Sequence, residues 1–293
     1  MKGLARVTSG PDALAPEDMI SVPAPRVDAQ ALVGNLLLLG IGVLFMLPLL
    51  WLIFSSIDAN ASWGIEMPQI TAKNFSDVTT SDNVTSLYNS FYLAAIATIV
   101  ATAVATLAGY ALSRRRIPLK KSLMLIVLFL TGIPVSIMIV PVYQMYVTLN
   151  WLSLFPTAVF LGVTGLPFEI WLIKNFIDSV PIELEEAARM ERAGTLQILR
   201  TLILPLALPG IAAAAIYGFI NAWGSFLIPL ILLSSPGDQP GPVTIYSFIG
   251  AAVVRYGDIA AFSVLYSVPV IVLFLIMSRL IGGGFLLGGA IKG

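Results

Sequence analysis

The residues of this 293-residue chain that could do chemistry are few and fall in groups. It has no cysteine and no histidine, which excludes disulfides, thiolate chemistry, Cys-based metal sites and the commonest proton relay. No GxxxxGK[ST] stretch is present, so the chain lacks the loop that cradles nucleotide phosphates and is not expected to hydrolyse ATP itself. One charged island remains, Pro181 to Pro209 (PIELEEAARMERAGTLQILRTLILPLALP), together with a polar set at Asn221, Trp223 and Ser225. An amide and a hydroxyl beside an indole offer what a sugar needs, hydrogen bonds to hydroxyls and a flat apolar surface for the ring face. The same residues suit a packing seam between membrane helices, and both readings stay open.

The island reads as helix, turn, helix. Pro181 followed by Glu183, Glu185 and Glu186 marks a helix start, because proline loses no bond there and carboxylates suit the positive end of the macrodipole. The helix should run to about Arg192, with Leu184, Ala187, Ala188 and Glu191 on one narrow face and Glu185, Glu186, Arg189 and Arg192 around the rest. Gly194 supplies the break, and a second apolar stripe from Leu196 leads through Pro205 and Pro209 into the next hydrophobic run.

The order Glu186-Ala187-Ala188, then Ala193, then Leu204-Pro205 resembles the EAA loop of ABC importer permeases of the carbohydrate (maltose-type) class. The third hydrophobic run, with IPVSIMIVPVYQMY, and the terminal GAIKG are similar to the same subfamily. Where that family carries Asp-Gly before the alanine, this chain has Glu191 and Arg192. The resemblance implies a type I importer permease fold and a helix that sits in a cleft of a cytoplasmic ATPase subunit. By that resemblance Glu185, Glu186, Ala187, Ala188 and Arg189 form the ATPase-coupling set, with Gly194 as the turn. Glu186 is expected to meet a basic residue of the ATPase, and Ala187 and Ala188 to permit close approach. For Arg189 and Arg192 a solvated face is the favoured reading.

Those segments need a membrane scaffold, and the composition provides one. With 58% hydrophobic and 11% charged residues, against about a quarter charged in soluble domains, this is an all-α polytopic membrane protein. Runs of spanning length occur at Leu32–Phe54, Phe91–Leu112, Leu123–Tyr143, Pro156–Ile173, Ile211–Leu233 and Ala261–Ile281, which makes six transmembrane helices. Every Lys and Arg except Lys73 and Arg255 falls on one side of that arrangement, which puts both termini in the cytoplasm. The domain plan is a cytoplasmic tail over 1–31, a permease domain over 32–282 with its EAA loop at 174–205, and a tail over 283–293. The tail's Lys292 either reaches the ATPase or frays with the terminus.

Pro134, Pro141, Gly165 and Pro167 are expected to break the third and fourth spans, and Tyr246 to Asp258 reads as a re-entrant piece. Glu169, the lone acidic residue within a span, is expected within about a turn of the cytoplasmic end, snorkelling or pairing near Trp171 and Lys174. Sequons at Asn60, Asn74 and Asn83 are read as chance matches.

The resemblance further implies a bacterial inner-membrane location. It implies a second permease subunit (a heterodimer expected, a homodimer open), two ATPase subunits carrying ATP and Mg, an external solute-binding protein and no cofactor on this chain. Net charge zero excludes a nucleic-acid partner. The competing reading, an ion-coupled secondary carrier or channel subunit, requires internal repeats and paired buried charges. A membrane scaffold without transport would leave the proline-broken spans and the charged island unexplained.

Overall fold

The computed structural model describes residues 29–62, 64, 67–250 and 254–289. The expected N-terminal tail lies outside the described residues up to residue 28, as does Lys292; residues 29–31 open the first helix instead. In hydrocarbon every backbone polar group must be paired within its own segment, so apolar runs of this length become helices. Among the described residues strand geometry is confined to two isolated bridges, Asp58 with Ile70 and Ile249 with Val254.

The helices are α1 (Ala29–Ser56), α2 (Lys73–Val78), α3 (Ser81–Arg114), α4 (Lys120–Leu130), α5 (Val135–Leu149), α6 (Leu154–Asp178), α7 (Ile182–Met190), α8 (Thr195–Ile198), α9 (Leu204–Trp223), α10 (Leu227–Leu232), α11 (Gly241–Ser247) and α12 (Tyr256–Gly289). A π-helical turn, Leu199–Ile203, joins α8 to α9. Among the described residues five helical stretches are long and apolar enough to cross a membrane, and α4 with α5, bent by 85°, makes a sixth when counted as one span.

Several boundaries differ from the sequence expectation, each for a local reason. The third span bends at Pro134, which caps α5, whereas Pro141 lies inside α5 without ending it. The fourth span is unbroken: α6 runs through Gly165 and Pro167, because one missing N–H costs a single rung of the ladder when neighbouring helices hold the rest. The fifth span is shifted toward the N-terminus, running over Thr195–Trp223 and stopping at Gly224. Pro229 has no N–H to continue the ladder back to Ser225, so the expected remainder becomes the separate α10. The wide π turn just before Pro205 takes up another rung that a proline cannot supply. Helix also continues beyond the expected sixth span to Gly289, through most of the segment read as a tail. The piece read as re-entrant, Tyr246 to Asp258, takes in the end of the short α11, the Ile249–Val254 bridge and the start of α12. Asn74 is buried, its amide donating to the carbonyls of Ser56 (3.2 Å) and Asp58 (2.8 Å), so that sequon is occupied structurally.

The centre of the bundle is α3, α6 and α9. Lipid supplies no hydrophobic drive between helices, so their contact rests on close packing of small residues. On α3 the buried line is Ala94, Ala97, Ala101, Ala105 and Gly109; on α9 it is Ala207, Gly210, Ala214, Gly218 and Ala222. At Gly162 of α6 a Cβ would lie 2.7 Å from the Ala97 carbonyl oxygen, and at Gly210 it would strike the Phe176 ring.

The tightness of that seam is measurable. Gly162→Ala must push two backbones apart and is expected to destabilise the protein by about 1–3 kcal/mol. Gly194→Ala, where a Cβ meets nothing within 4 Å, should leave thermal stability in detergent nearly unchanged.

Candidate functional site

The charged island is anchored by one carboxylate. Glu185, at the start of α7, is 1% exposed, and its Oε1 pairs with the Arg114 guanidinium at the end of α3. Tyr110 donates to Oε2 at 3.2 Å, and Arg189, one turn along α7, stands 3.7 Å from the same oxygen. Arg114 also donates to the Val180 carbonyl at 2.7 Å, which ties the α6–α7 connection to α3. Beside it Lys174 pairs with Asp178, and Lys120 donates to the Ser113 carbonyl at 3.1 Å.

The buried face of α7 is therefore not the one its apolar periodicity suggested. Leu184 is 43% exposed, and Glu185 points inward with half-buried Ala188 beside it. Glu186 and Ala187 are exposed with Ile182, Glu183 and Met190, so α7 presents an outer face that mixes two carboxylates with large apolar groups. Arg189 is exposed, and its contact with Glu185 is a wide i,i+4 pair of small energetic weight. The missed partners were Arg114 and Tyr110; the available signal was Arg114 opening the Arg114-Arg115-Arg116 run at the end of a span.

The turn after α7 is corrected in its details. Arg192, not Gly194, takes the left-handed conformation, at φ 60°. The Arg192 N–H bonds to the Arg189 carbonyl (2.9 Å) and the Ala193 N–H to the Ala188 carbonyl (3.0 Å), the paired bonds of a Schellman motif. Gly194 is extended, at φ −72° and ψ 157°, and caps α8. The turn keeps the shape that glycine usually serves, with arginine bearing the strain.

The polar set divides between two places. A cavity of about 360 Å³ lies among α5, α6, α9 and α10, and Asn221 and Ser225 are in its wall with Glu169, Thr164 and Tyr217. Trp223 does not reach it. Its ring is 4% exposed and stacks on Phe219 (5.6 Å between centroids) and Tyr266 (4.6 Å) in the core, because it faces the opposite side of α9 from Asn221. The aromatic surface of the cavity comes from Tyr217 and Phe226 instead. Glu169 also departs from expectation: α6 extends well past it to Asp178, so it lies within the span, fully buried, and accepts from Thr102 of α3 at 3.2 Å. Lys174 and Asp178 pair with each other and leave it to the cavity.

Comparison with known proteins gives a consistent picture. The family described as "Binding-protein-dependent transport system inner membrane component" matches residues 101–283. The trehalose transport system permease protein SugB of Mycobacterium tuberculosis is 32% identical over 255 residues, covering 85% of this chain and 93% of that protein. The maltodextrin transport system permease protein MdxG of Bacillus subtilis is 31% identical over 204 residues, covering 69% and 73%. Among solved structures, a bacterial ABC transporter involved in the import of the acidic polysaccharide alginate superposes with a TM-score of 0.72 at 23% identity, over 87% of this chain and 98% of that one.

Two substitutions test this geometry by thermal unfolding. Arg114→Ala leaves Glu185 buried without its cation and is expected to cost about 3–5 kcal/mol, most of it regained when Glu185→Leu is added to Arg114→Met. Arg192→Gly relieves the left-handed turn and is expected to raise stability by about 0.5–1 kcal/mol, after the greater freedom of glycine in the unfolded chain is counted.

Proposed function

Since the chain belongs to the binding-protein-dependent transport system inner membrane components, the membrane subunits of ABC importers, we propose that it forms half of a translocation pathway for a sugar or sugar-like solute and is driven through α7. The sugar class is supported by the relatives named for trehalose and maltodextrin. ATP and Mg belong to two separate ATPase subunits in this reading, and an external solute-binding protein delivers the cargo. A second permease, expected to be a different chain, completes the pathway. Both termini and α7 face the cytoplasm, supported by the one-sided distribution of Lys and Arg.

The observation that carries the mechanism is that one helix touches both sites. Residue Ala97 of α3 lines the cavity, and Arg114 of the same helix holds Glu185 of α7. A helix transmits displacement along its length because its packed interior does not compress. When ATP closes the ATPase pair, the outer face of α7, with Glu186, Ala187 and Met190, moves with the cleft that holds it. Through the Glu185–Arg114 pair that movement reaches α3 and the cavity wall. Only a contact that differs between closed and open ATPase pairs biases the pathway, so Glu186 and the small Ala187 act as the docking tip and Glu185 as its mounting. Ala188 lets α7 lie close to the bundle; Arg189 adds only a wide, exposed contact to Glu185, and Gly194 starts the return helix. Asn221 and Ser225 offer hydrogen bonds to the solute along the pathway. Among the described residues the ion-coupled carrier reading has no paired buried charges at the cavity to support it.

The test uses the complex purified with its ATPase, partner permease and binding protein in lipid. Glu186→Lys, an exposed change that spares the fold, is expected to lower ligand-stimulated ATP hydrolysis about tenfold or more by setting like charge against a basic partner. Stimulation at the wild-type level would show that α7 does not carry the coupling.

A further inference from the structure

Of the three arginines at the end of α3, only Arg114 is taken up inside the protein. Arg115 and Arg116 are exposed, as is Lys121 in the first turn of α4. Among the described residues none of these three cations has an ion pair or a side-chain hydrogen bond. The two carboxylates that meet the end of α3 are committed elsewhere, Glu185 to Arg114 and Asp178 to Lys174 and the Ser113 hydroxyl.

Exposed cations are common, so their position decides what they face. The apolar sequence of α3 runs to Leu112 and that of α4 resumes at Leu123. The connection over residues 115–119 therefore lies where two membrane-crossing segments both leave the hydrocarbon. It is fastened at its base, with Lys120 donating to the Ser113 carbonyl and the Ile117 N–H to the Arg115 carbonyl, both at 3.1 Å. At its turn Leu119 is left-handed, at φ 56° and ψ 26°, and is 80% exposed beside exposed Pro118. Leucine is strained in that conformation, and its side chain gains nothing in return while it stands in water. α4 has no buried residue, so the surface that continues from Leu119 is open to the surroundings of the chain.

We propose that the α3–α4 connection is a binding surface for anionic phospholipid: Arg115, Arg116 and Lys121 take the phosphate-bearing headgroups, and Leu119 enters the upper acyl region beneath them. Each cation near the membrane surface attracts anionic lipid, and the guanidinium fork matches a phosphate. An acidic face of another subunit would satisfy the cations but leave Leu119 without an apolar partner. The inference rests on the membrane-spanning fold, and it stands whether or not the solute is a sugar. Because Arg115 is the neighbour of Arg114, lipid held there also steadies the end of α3 on which α7 is mounted.

The chain has no cysteine, so Ser122→Cys places a single label beside Lys121. The complex with its ATPase, partner permease and binding protein is reconstituted in phosphatidylcholine containing a minor share of phosphatidylglycerol. The cysteine carries bimane, and signal from other subunits is subtracted with the cysteine-free chain. A nitroxide quencher near the top of the acyl chain is carried by a small fraction of one lipid or of the other, at the same overall composition. Quenching per labelled lipid is expected to be about fivefold greater from phosphatidylglycerol. With Arg115→Gln, Arg116→Gln and Lys121→Gln together the ratio is expected to fall to near one. Should that variant fail to assemble, Arg116→Gln alone decides: a fall of about twofold supports the proposal, and an unmoved ratio overturns it. Equal quenching by the two lipids in the parent overturns it, as does a preference that survives removal of all three charges. Absence of quenching by either lipid places another subunit over the connection and overturns it too. An excess of soluble glycerol phosphate is expected to leave the ratio in place; its loss would assign the surface to a free anion instead.

Discussion

A carboxylate withdrawn from water as far as Glu185 holds its place only while Arg114 stays beside it, and that requirement organises the α7 end of the bundle. Arg114 has its remaining donors on Val180 and Ser113, so the guanidinium binds the end of α3, the α6–α7 connection and α7 into one unit. The pair also sets which side of α7 faces out. Once Glu185 is turned inward, Glu186 and Ala187 must turn outward, since consecutive helical residues are separated by about a quarter turn. The outer face of α7 is thus defined by which of its residues is buried.

The same principle, position imposed by contact, runs through the membrane core. Small residues on α3 and α9 bring those helices and α6 close enough that a single Cβ at Gly162 or Gly218 has no room. In that dense setting a polar atom has few places to go. Thr102 reaches Glu169, Tyr266 donates to the Trp223 carbonyl, and Asn89 of α3 holds the carbonyls of Gly237 (2.8 Å) and Gln239 (3.2 Å). Each bond crosses between elements far apart in sequence, and together they fix how the cavity-bearing helices are set against the connections that flank them.

Much of this was legible from the residues and some was not, for identifiable reasons. Hydropathy located the apolar runs because helix is the one way a single segment satisfies its backbone in lipid, and the Glu186-Ala187-Ala188 spacing marked the family. Helix ends were less legible: α3 begins at Ser81 and α6 ends at Asp178, since a helix continues into polar sequence as long as its backbone bonds are supported. Periodicity assigned the wrong inner face to α7, because a pattern of apolar residues cannot register that a carboxylate will be buried by a distant arginine. It likewise could not tell that Trp223 and Asn221 point to different sides of α9, nor that Arg192 would hold a left-handed turn that its side chain disfavours. Those outcomes depend on partners brought together by the fold.

The elbow between α4 and α5 has a mechanical consequence. Two arms set at 85° share almost no common direction, so a thrust along one arrives at the other as torque and not as travel. Thr131 at the end of one arm and Val135 at the start of the other both border the cavity, which places the pivot in the cavity wall. A swing of either arm about that pivot is smallest at the cavity wall and greatest at the arm's far end, so the bend holds its part of the wall fixed.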